Sequence, residues 1–233
     1  VALMPEDEIF RTTLPPGRHR LPRDFVARHQ RDRLFAAIVQ LVDEQGYPAT
    51  SLTQIVKRAG VARHTFYEHF EDKEALFLAL FDATAERAIR VSGEAIAAEP
   101  GPWEEKVRAG VGALLGLIAE DPTLARVYMV ESQSAGAAAL ERRNDAMHRF
   151  AVLLSGGRED APRQAELPDS LEDILVGGVV WMINKRLVSD AGDIEGLLPE
   201  ILEFVIAPYR GSATAQRVAR PEASRDDQPA AGG

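Results

Sequence analysis

Between Arg63 and Lys73 the chain reads RHTFYEHFEDK, which puts Arg63, His64, Thr65, Tyr67, His69 and Lys73 close together. All of these side chains donate hydrogen bonds, and that chemistry suits phosphate oxygens and base edges rather than bond breaking. Catalytic constellations are missing elsewhere. There is no HExxH, P-loop, GxGxxG or GxSxG pattern. The chain has no cysteine, which excludes disulfides, thiol catalysis and zinc ribbons. Glu131, Asp145 and His148 are the nearest approach to an acid–base or metal cluster, and they read as scattered helix-surface charge. The expectation is a non-enzyme with no cofactor and no metal.

Two short helices must present those donors. Ser51 followed by Gln54 is a capping-box pattern, and Leu52, Ile55, Val56 and Ala59 then repeat at helical spacing. Gly60 stops that helix where a positive φ is cheapest. Val61 is an apolar plug, and a second helix runs from Arg63 to Phe70 with Phe66 and Phe70 on its inner side. A helix of that length, held steeply against its neighbour, fits the major groove of DNA. Arg63 and His64 occupy the first turn, from which base edges are reached. Thr65, Tyr67 and His69 suit phosphates, and Lys73 adds a phosphate contact from the next helix.

Ile55, Ala59-Gly60-Val61, Thr65-Phe66-Tyr67-Glu68-His69-Phe70 and Lys73-Glu74-Ala75-Leu76 together strongly resemble the N-terminal domain of TetR-type transcriptional regulators (the TetR/AcrR family). The close match covers Arg31 to Leu80. The resemblance implies that Ser51 and Thr53 meet phosphate and an outer base edge, that Arg63, His64 and Thr65 meet bases, and that Tyr67, His69 and Lys73 meet phosphates. It also implies a homodimer joined through the last two helices and a small-molecule effector held in the helical body. The chain departs from the family at Ala62, where members usually carry a capping Ser.

The net charge of −9 is unevenly spread. Arg11 to Lys73 holds 11 Lys/Arg against 7 Asp/Glu, while the remainder holds 16 against 29. A basic head on an acidic body turns the molecule head-first toward DNA. Glu6, Asp7 and Glu8 make the start of the sequence acidic, so no signal peptide is expected, and the longest apolar run, Val176 to Ile183, is too short for a membrane span. The expected location is the cytoplasm.

Helical spacing continues throughout, with no strand alternation, so the predicted fold is all-α. It has an N-terminal three-helix helix-turn-helix domain followed by a helical ligand-binding and dimerisation domain. The expected divisions are 1–22, a basic arm; 23–71, the DNA-binding domain; 72–209, the effector and dimer domain; and 210–233, a disordered tail. Arg18, His19, Arg20 and Arg23 give the arm two open readings: a minor-groove contact or an inert extension. Leu171, Ile174, Leu175, Val179, Ile183 and Leu187, with Leu198, Ile201, Leu202, Val205 and Ile206, read as a dimer seam or as intrachain core. Gly177 and Gly178 would admit a close-packed helix there. Trp103, Tyr128, Met129, Met147, His148, Phe150, Trp181 and Asn184, with Gln133, are the candidate effector contacts, and plain core packing is the alternative for each. The function expected is a ligand-responsive, homodimeric repressor of palindromic operators. A regulator controlled by abundance or a protein partner is the alternative.

Overall fold

The computed structural model describes residues 23–131, 135–159, 161, 167–189 and 192–220. The arm with its Arg18, His19 and Arg20, Gln133, and the last thirteen residues lie outside them, as does the side chain of Arg23. Among the described residues, ten α-helices follow in order: α1 (Arg23–Gln45), α2 (Leu52–Ala59), α3 (Arg63–His69), α4 (Lys73–Ala98), α5 (Trp103–Glu120), α6 (Pro122–Val130), α7 (Ala137–Leu154), α8 (Leu171–Val188), α9 (Leu198–Arg210) and α10 (Ser212–Ala219). The fold is all-α, with no strand among the described residues.

Two apolar cores organise the chain. The head core gathers Leu34, Phe35, Ile38, Leu41 and Val42 of α1, Ile55 and Ala59 of α2, Phe66, Phe70, and Leu76, Phe77 and Leu80 of α4. Leu124 and Val127 of α6 and Ala139 of α7 join it from the body. Each fully buried Phe or Leu stabilises by about 1.5–3 kcal/mol, so these residues fasten the body to the head. The second core lies among α5, α8, α9 and α10, around Leu115, Leu175, Ile183, Ile201, Leu202, Val205, Ile206 and Tyr209. α4 links the cores, and at 26 residues it is about 39 Å long.

Several helix signals behave locally as chemistry requires. Asp72 accepts from Ala75 N to cap α4, and Asp121 accepts from Leu124 N with Pro122 beginning α6. Other expectations need correction. Residues 212–219 are not disordered tail but helix α10, which buries Ala215 and Ala219 against α9. The small alanines hide an apolar stripe that composition alone reads as linker. Glu172 sits in the first turn of α8. It turns inward, where Arg158 and Tyr209 bond its carboxylate.

The seam expectation is also redrawn. Leu175, Ile183, Leu187, Ile201, Leu202, Val205 and Ile206 are core residues of their own chain. A Cβ at Gly178 would lie 2.5 Å from the Phe204 ring, so this glycine makes room for a side chain of the same chain. The apolar residues that α8 and α9 leave outside are Ile174, Trp181, Val188 and Phe204, at 59, 62, 64 and 40% exposure.

Candidate nucleic-acid interface and cavity

The helix-turn-helix is held by polar contacts as well as by its core. Ser51 Oγ accepts from Gln54 N, while Gln54 Oε1 accepts from Ser51 N at 2.8 Å, completing the capping box. Gly60 takes φ +60° in the turn, and Arg33 reaches its carbonyl at 3.1 Å. Lys73 Nζ donates to the carbonyls of Tyr47 at 2.9 Å and Thr50 at 2.8 Å and lies 4.0 Å from the Tyr47 ring centroid. Partial burial lowers its pKa. His69 Nε2 is 3.0 Å from Gln30 Oε1. Thr65 is buried beside Phe66.

The expected contact residues therefore divide. Thr53, Arg63, His64 and Tyr67 are exposed. Arg63 Nη2 lies 3.3 Å from Tyr67 Oη, and its guanidinium carbon is 5.9 Å from the Tyr67 ring centroid. Ser51 is exposed but occupied by its cap. Thr65 faces inward, because α3 needs that side to pack on the head core. His69 and Lys73 are tied to α1 and to the loop after it. In α3 the N-cap Ala62 provides no side-chain bond.

Below the head, α4 to α9 line a partly open cavity of about 150 Å³. Of the expected effector contacts, Tyr128, Met129, Met147 and Phe150 line it. Trp103, His148, Trp181 and Asn184 do not. Trp103 packs edge-on against Tyr209 at 4.9 Å, close enough to Gly157 that a Cβ there would lie 2.6 Å from its ring. His148 is on the outside, 3.3 Å from Asp173. Trp181 is exposed, and Asn184 is half-buried with its Oδ1 unpartnered. Among the described residues no three His, Asp or Glu side chains form a metal site.

Most of the cavity wall is apolar, with Ile96, Val107, Leu114, Ile118, Val176 and Val180 among its residues. Sequence reasoning missed other polar members: Thr84, Arg87 and Ser92 of α4, Asp121 at the cap of α6 and Arg143 of α7, with Arg87 ion-paired to Glu120 at 3.0 Å. A signal was present. Leu76, Leu80, Thr84, Ala88, Ser92 and Ile96 recur every four residues, so Thr84 and Ser92 interrupt one apolar stripe. Tyr128 stacks on Phe81 with centroids 4.1 Å apart, and burial raises its phenol pKa, keeping it a neutral hydrogen-bonding group. Gly110 lets α4 and α5 approach, since a Cβ there would lie 2.7 Å from Ile96.

Residues 34–80 match the family model described as "Bacterial regulatory proteins, tetR family". These residues form a TetR-type helix-turn-helix domain. The "Fatty acid metabolism regulator protein" of Bacillus subtilis is 23% identical over 181 residues, covering 75% of this chain and 93% of that protein. The "HTH-type transcriptional activator FasR" of Mycolicibacterium smegmatis is 27% identical over 186 residues, covering 76% and 82%. Among solved structures, the transcriptional regulator FadR of Bacillus subtilis in complex with stearoyl-CoA superposes with a TM-score of 0.63 at 22% identity, covering 77% of this chain and 97% of that one. The TetR-type chain described here is thus a DNA-binding transcriptional regulator. No described helix is long and apolar enough to cross a membrane.

Proposed function

We propose that this chain is a homodimeric repressor of palindromic operators, released from DNA by an amphiphilic effector with an apolar chain and an anionic head. The reading assigns residues 23–71 to DNA binding and 72–219 to effector binding and dimerisation. Thr53, Arg63, His64 and Tyr67 make the DNA contacts, while Ser51, Thr65, His69 and Lys73 position the helices that carry them.

The observation that carries the effector reading is the double role of α6. Its Leu124, Ala125, Tyr128 and Met129 line the cavity. Leu124 and Val127 also belong to the head core, and Arg126 is ion-paired with Asp43 of α1. Just beyond α6, Glu131 Oε2 accepts from Tyr47 N at 3.1 Å. The cavity wall and the head's fastenings are therefore the same short helix. A chain seated in this cavity lies directly against α6 and displaces it. Displacing α6 displaces the head, and the two recognition helices lose the spacing of about 34–36 Å that matches one turn of DNA. Full release requires the effector to prefer the displaced state by about 5.5 kcal/mol.

The chemistry of the wall supports the effector class. Apolar side chains suit a hydrocarbon chain, and Arg143, joined by Arg87 if it exchanges its ion pair with Glu120, suits a carboxylate or phosphate. The stearoyl-CoA held by the FadR structure is a molecule of this class. The second copy is assigned to the exposed stripe of Ile174, Trp181, Val188 and Phe204, an apolar face on the two helices the family pairs.

The test has three readouts. DNA selected from a random pool should converge on a two-fold symmetric sequence, and dodecanoate or its CoA thioester should raise the melting temperature and release that DNA. Trp181→Asp should yield a folded monomer by sedimentation with sharply weakened operator binding. A native protein that sediments as a monomer, or an amphiphile series that neither stabilises the protein nor releases DNA, would sink the corresponding part of the proposal.

A further inference from the structure

We infer that the cavity has a rigid floor, held by the cluster of Trp103, Arg158, Glu172 and Tyr209, which limits the ligand's extended chain to about fourteen bonds. The inference rests on the effector reading above and goes further, because an apolar wall by itself sets no chain length.

The cavity is polar at one end only. Tyr128 stacks on Phe81, Arg142 is ion-paired with Asp82, and Arg87 is ion-paired with Glu120. These cross-links bring the lining residues Thr84, Arg87, Asp121, Tyr128 and Arg143 to one level of α4, between Phe81 and Arg87. Beyond that level the lining side chains are apolar except Ser92, whose hydroxyl is buried in the wall. An anionic head therefore belongs at the Arg143 end, with its tail running toward Ile96. A Cβ at Gly110 would lie 2.7 Å from Ile96, which sets Ile96 beside α5 about one turn from Val107.

The opposite end is closed. Val107, Leu154, Val176 and Val205 line it, and all four are buried. Each lies four residues from a member of the cluster: Val107 from Trp103, Leu154 from Arg158, Val176 from Glu172 and Val205 from Tyr209. Four residues make about one helical turn, so each floor residue rests one turn inside its cluster residue. Glu172 accepts from Arg158 Nε and from Tyr209 Oη, both at 2.7 Å. Trp103 packs edge-on against Tyr209, and beneath its ring Arg210 bonds both Glu104 and the Gly157 carbonyl. The cluster thus cross-links α5, the end of α7, α8 and α9. A satisfied buried network stiffens what it joins, so this floor resists a ligand that the α6 wall accommodates.

Two helices give the same depth. Thr84 to Ile96 spans about 18 Å along α4, and Arg143 to Leu154 about 16.5 Å along α7. An extended chain covers about 1.2 Å per bond, so about fourteen bonds fit between head and floor. The ligand class is a single-chain amphiphile with tetradecanoate at its limit. A longer chain must fold back or lift its head away from Arg143.

Even-numbered straight-chain carboxylates from octanoate to octadecanoate test the floor, offered to the full chain with binding read by calorimetry. Affinity should climb by up to about four-fold per added carbon as far as tetradecanoate. Octadecanoate should then bind about ten-fold more weakly than tetradecanoate. Leu154→Ala deepens the floor and should move the optimum about two carbons longer, while Val176→Phe should move it about two carbons shorter. Tyr209→Phe keeps the ring but removes the bond to Glu172. It should narrow the gap between tetradecanoate and octadecanoate and leave dodecanoate affinity unchanged. Retained dodecanoate binding shows that a variant is folded. Native protein that binds octadecanoate as tightly as tetradecanoate overturns the floor inference and leaves the amphiphile reading standing. So does an optimum that none of the three variants moves. If no carboxylate binds, the amphiphile reading falls and the inference with it.

Discussion

Around the helix-turn-helix, Ser51, Gln54, His69 and Lys73 commit their polar atoms to neighbouring backbone and side chains, whereas in the cavity Ser92 keeps a hydroxyl without a partner. Both regions are built partly on α4, which begins under the head and ends beyond the cavity. The head must hold Arg63 and His64 at a fixed angle to a rigid duplex, and satisfied hydrogen bonds do that. A cavity that is to respond to a ligand needs the opposite, a site whose best arrangement is incomplete until something enters. The far end of the body resembles the head in this respect. There Glu172 binds Arg158 and Tyr209, and Arg210 bonds Glu104 at 2.6 Å beneath Trp103.

The largest test of that contrast is Glu172→Ala. Removing one member of a buried ion pair costs about 3–5 kcal/mol, and here it strands both Arg158 and the Tyr209 hydroxyl. The melting temperature should drop by many degrees, while the operator affinity of the remaining folded protein stays near native. Burial works to raise the Glu172 carboxyl, yet the bonds from Arg158 and Tyr209 hold it below its ordinary value. Its folded pKa is therefore depressed, so its stabilisation is present above the unfolded pKa and is lost as pH falls through the folded one. Calorimetric scans should show native stability falling across the acidic range and Glu172→Gln flattening that fall. A Glu172→Ala protein as stable as native would mean that the far end is not stiff.

Lys73→Ala should act on the head with a smaller effect. A hydrogen bond from a charged donor is worth about 1.5–3 kcal/mol, and the contact with the Tyr47 ring adds about 0.5–1. The loop joining α1 to α2 should loosen, seen as faster amide exchange at Tyr47 and Thr50 and a lower melting temperature. If Lys73 instead acted only on phosphate, stability would be unchanged and the salt dependence of DNA binding would become shallower.

Arg63→Ala carries the base-reading assignment. It should weaken operator binding by about 1–3 kcal/mol and relax preference at one base pair, with little change in melting temperature because Arg63 is exposed. Uniform weakening across all operator variants would reassign Arg63 to phosphate.

Much of the head was legible in the sequence because its signals are local. The Ser51–Gln54 box, Gly60, and the spacing of Phe66 and Phe70 each act within one or two turns. The inward turn of Thr65 and the capture of Lys73 were not legible, since Lys73 is bonded by carbonyls 23 and 26 residues away. The cavity depends on such distant contacts throughout. Trp103 and Tyr128 look alike in a helical pattern, yet one packs on Tyr209 and the other stacks on Phe81 at the cavity. Polar interruptions in the α4 stripe were the better guide, because a Thr or Ser on an apolar face needs a reason that an aromatic does not.

The smallest expected effect has the opposite sign. α3 begins at Ala62, whose backbone is already extended at φ −69°, ψ 149° as an N-cap requires, but no side-chain oxygen is available to accept from the first-turn N–H groups. Ala62→Ser supplies that oxygen without moving the backbone and should add about 0.5–2 kcal/mol. Ala62 is exposed, so the hydroxyl carries no burial penalty. Amide protection in α3 should rise and the melting temperature should increase slightly. Operator affinity should rise too if part of the binding free energy is now used to order the start of α3. A gain in stability with no gain in affinity would show that α3 is fully formed before it meets DNA. The head would then be as rigid as its satisfied hydrogen bonds suggest, leaving the cavity as the adaptable region of the molecule.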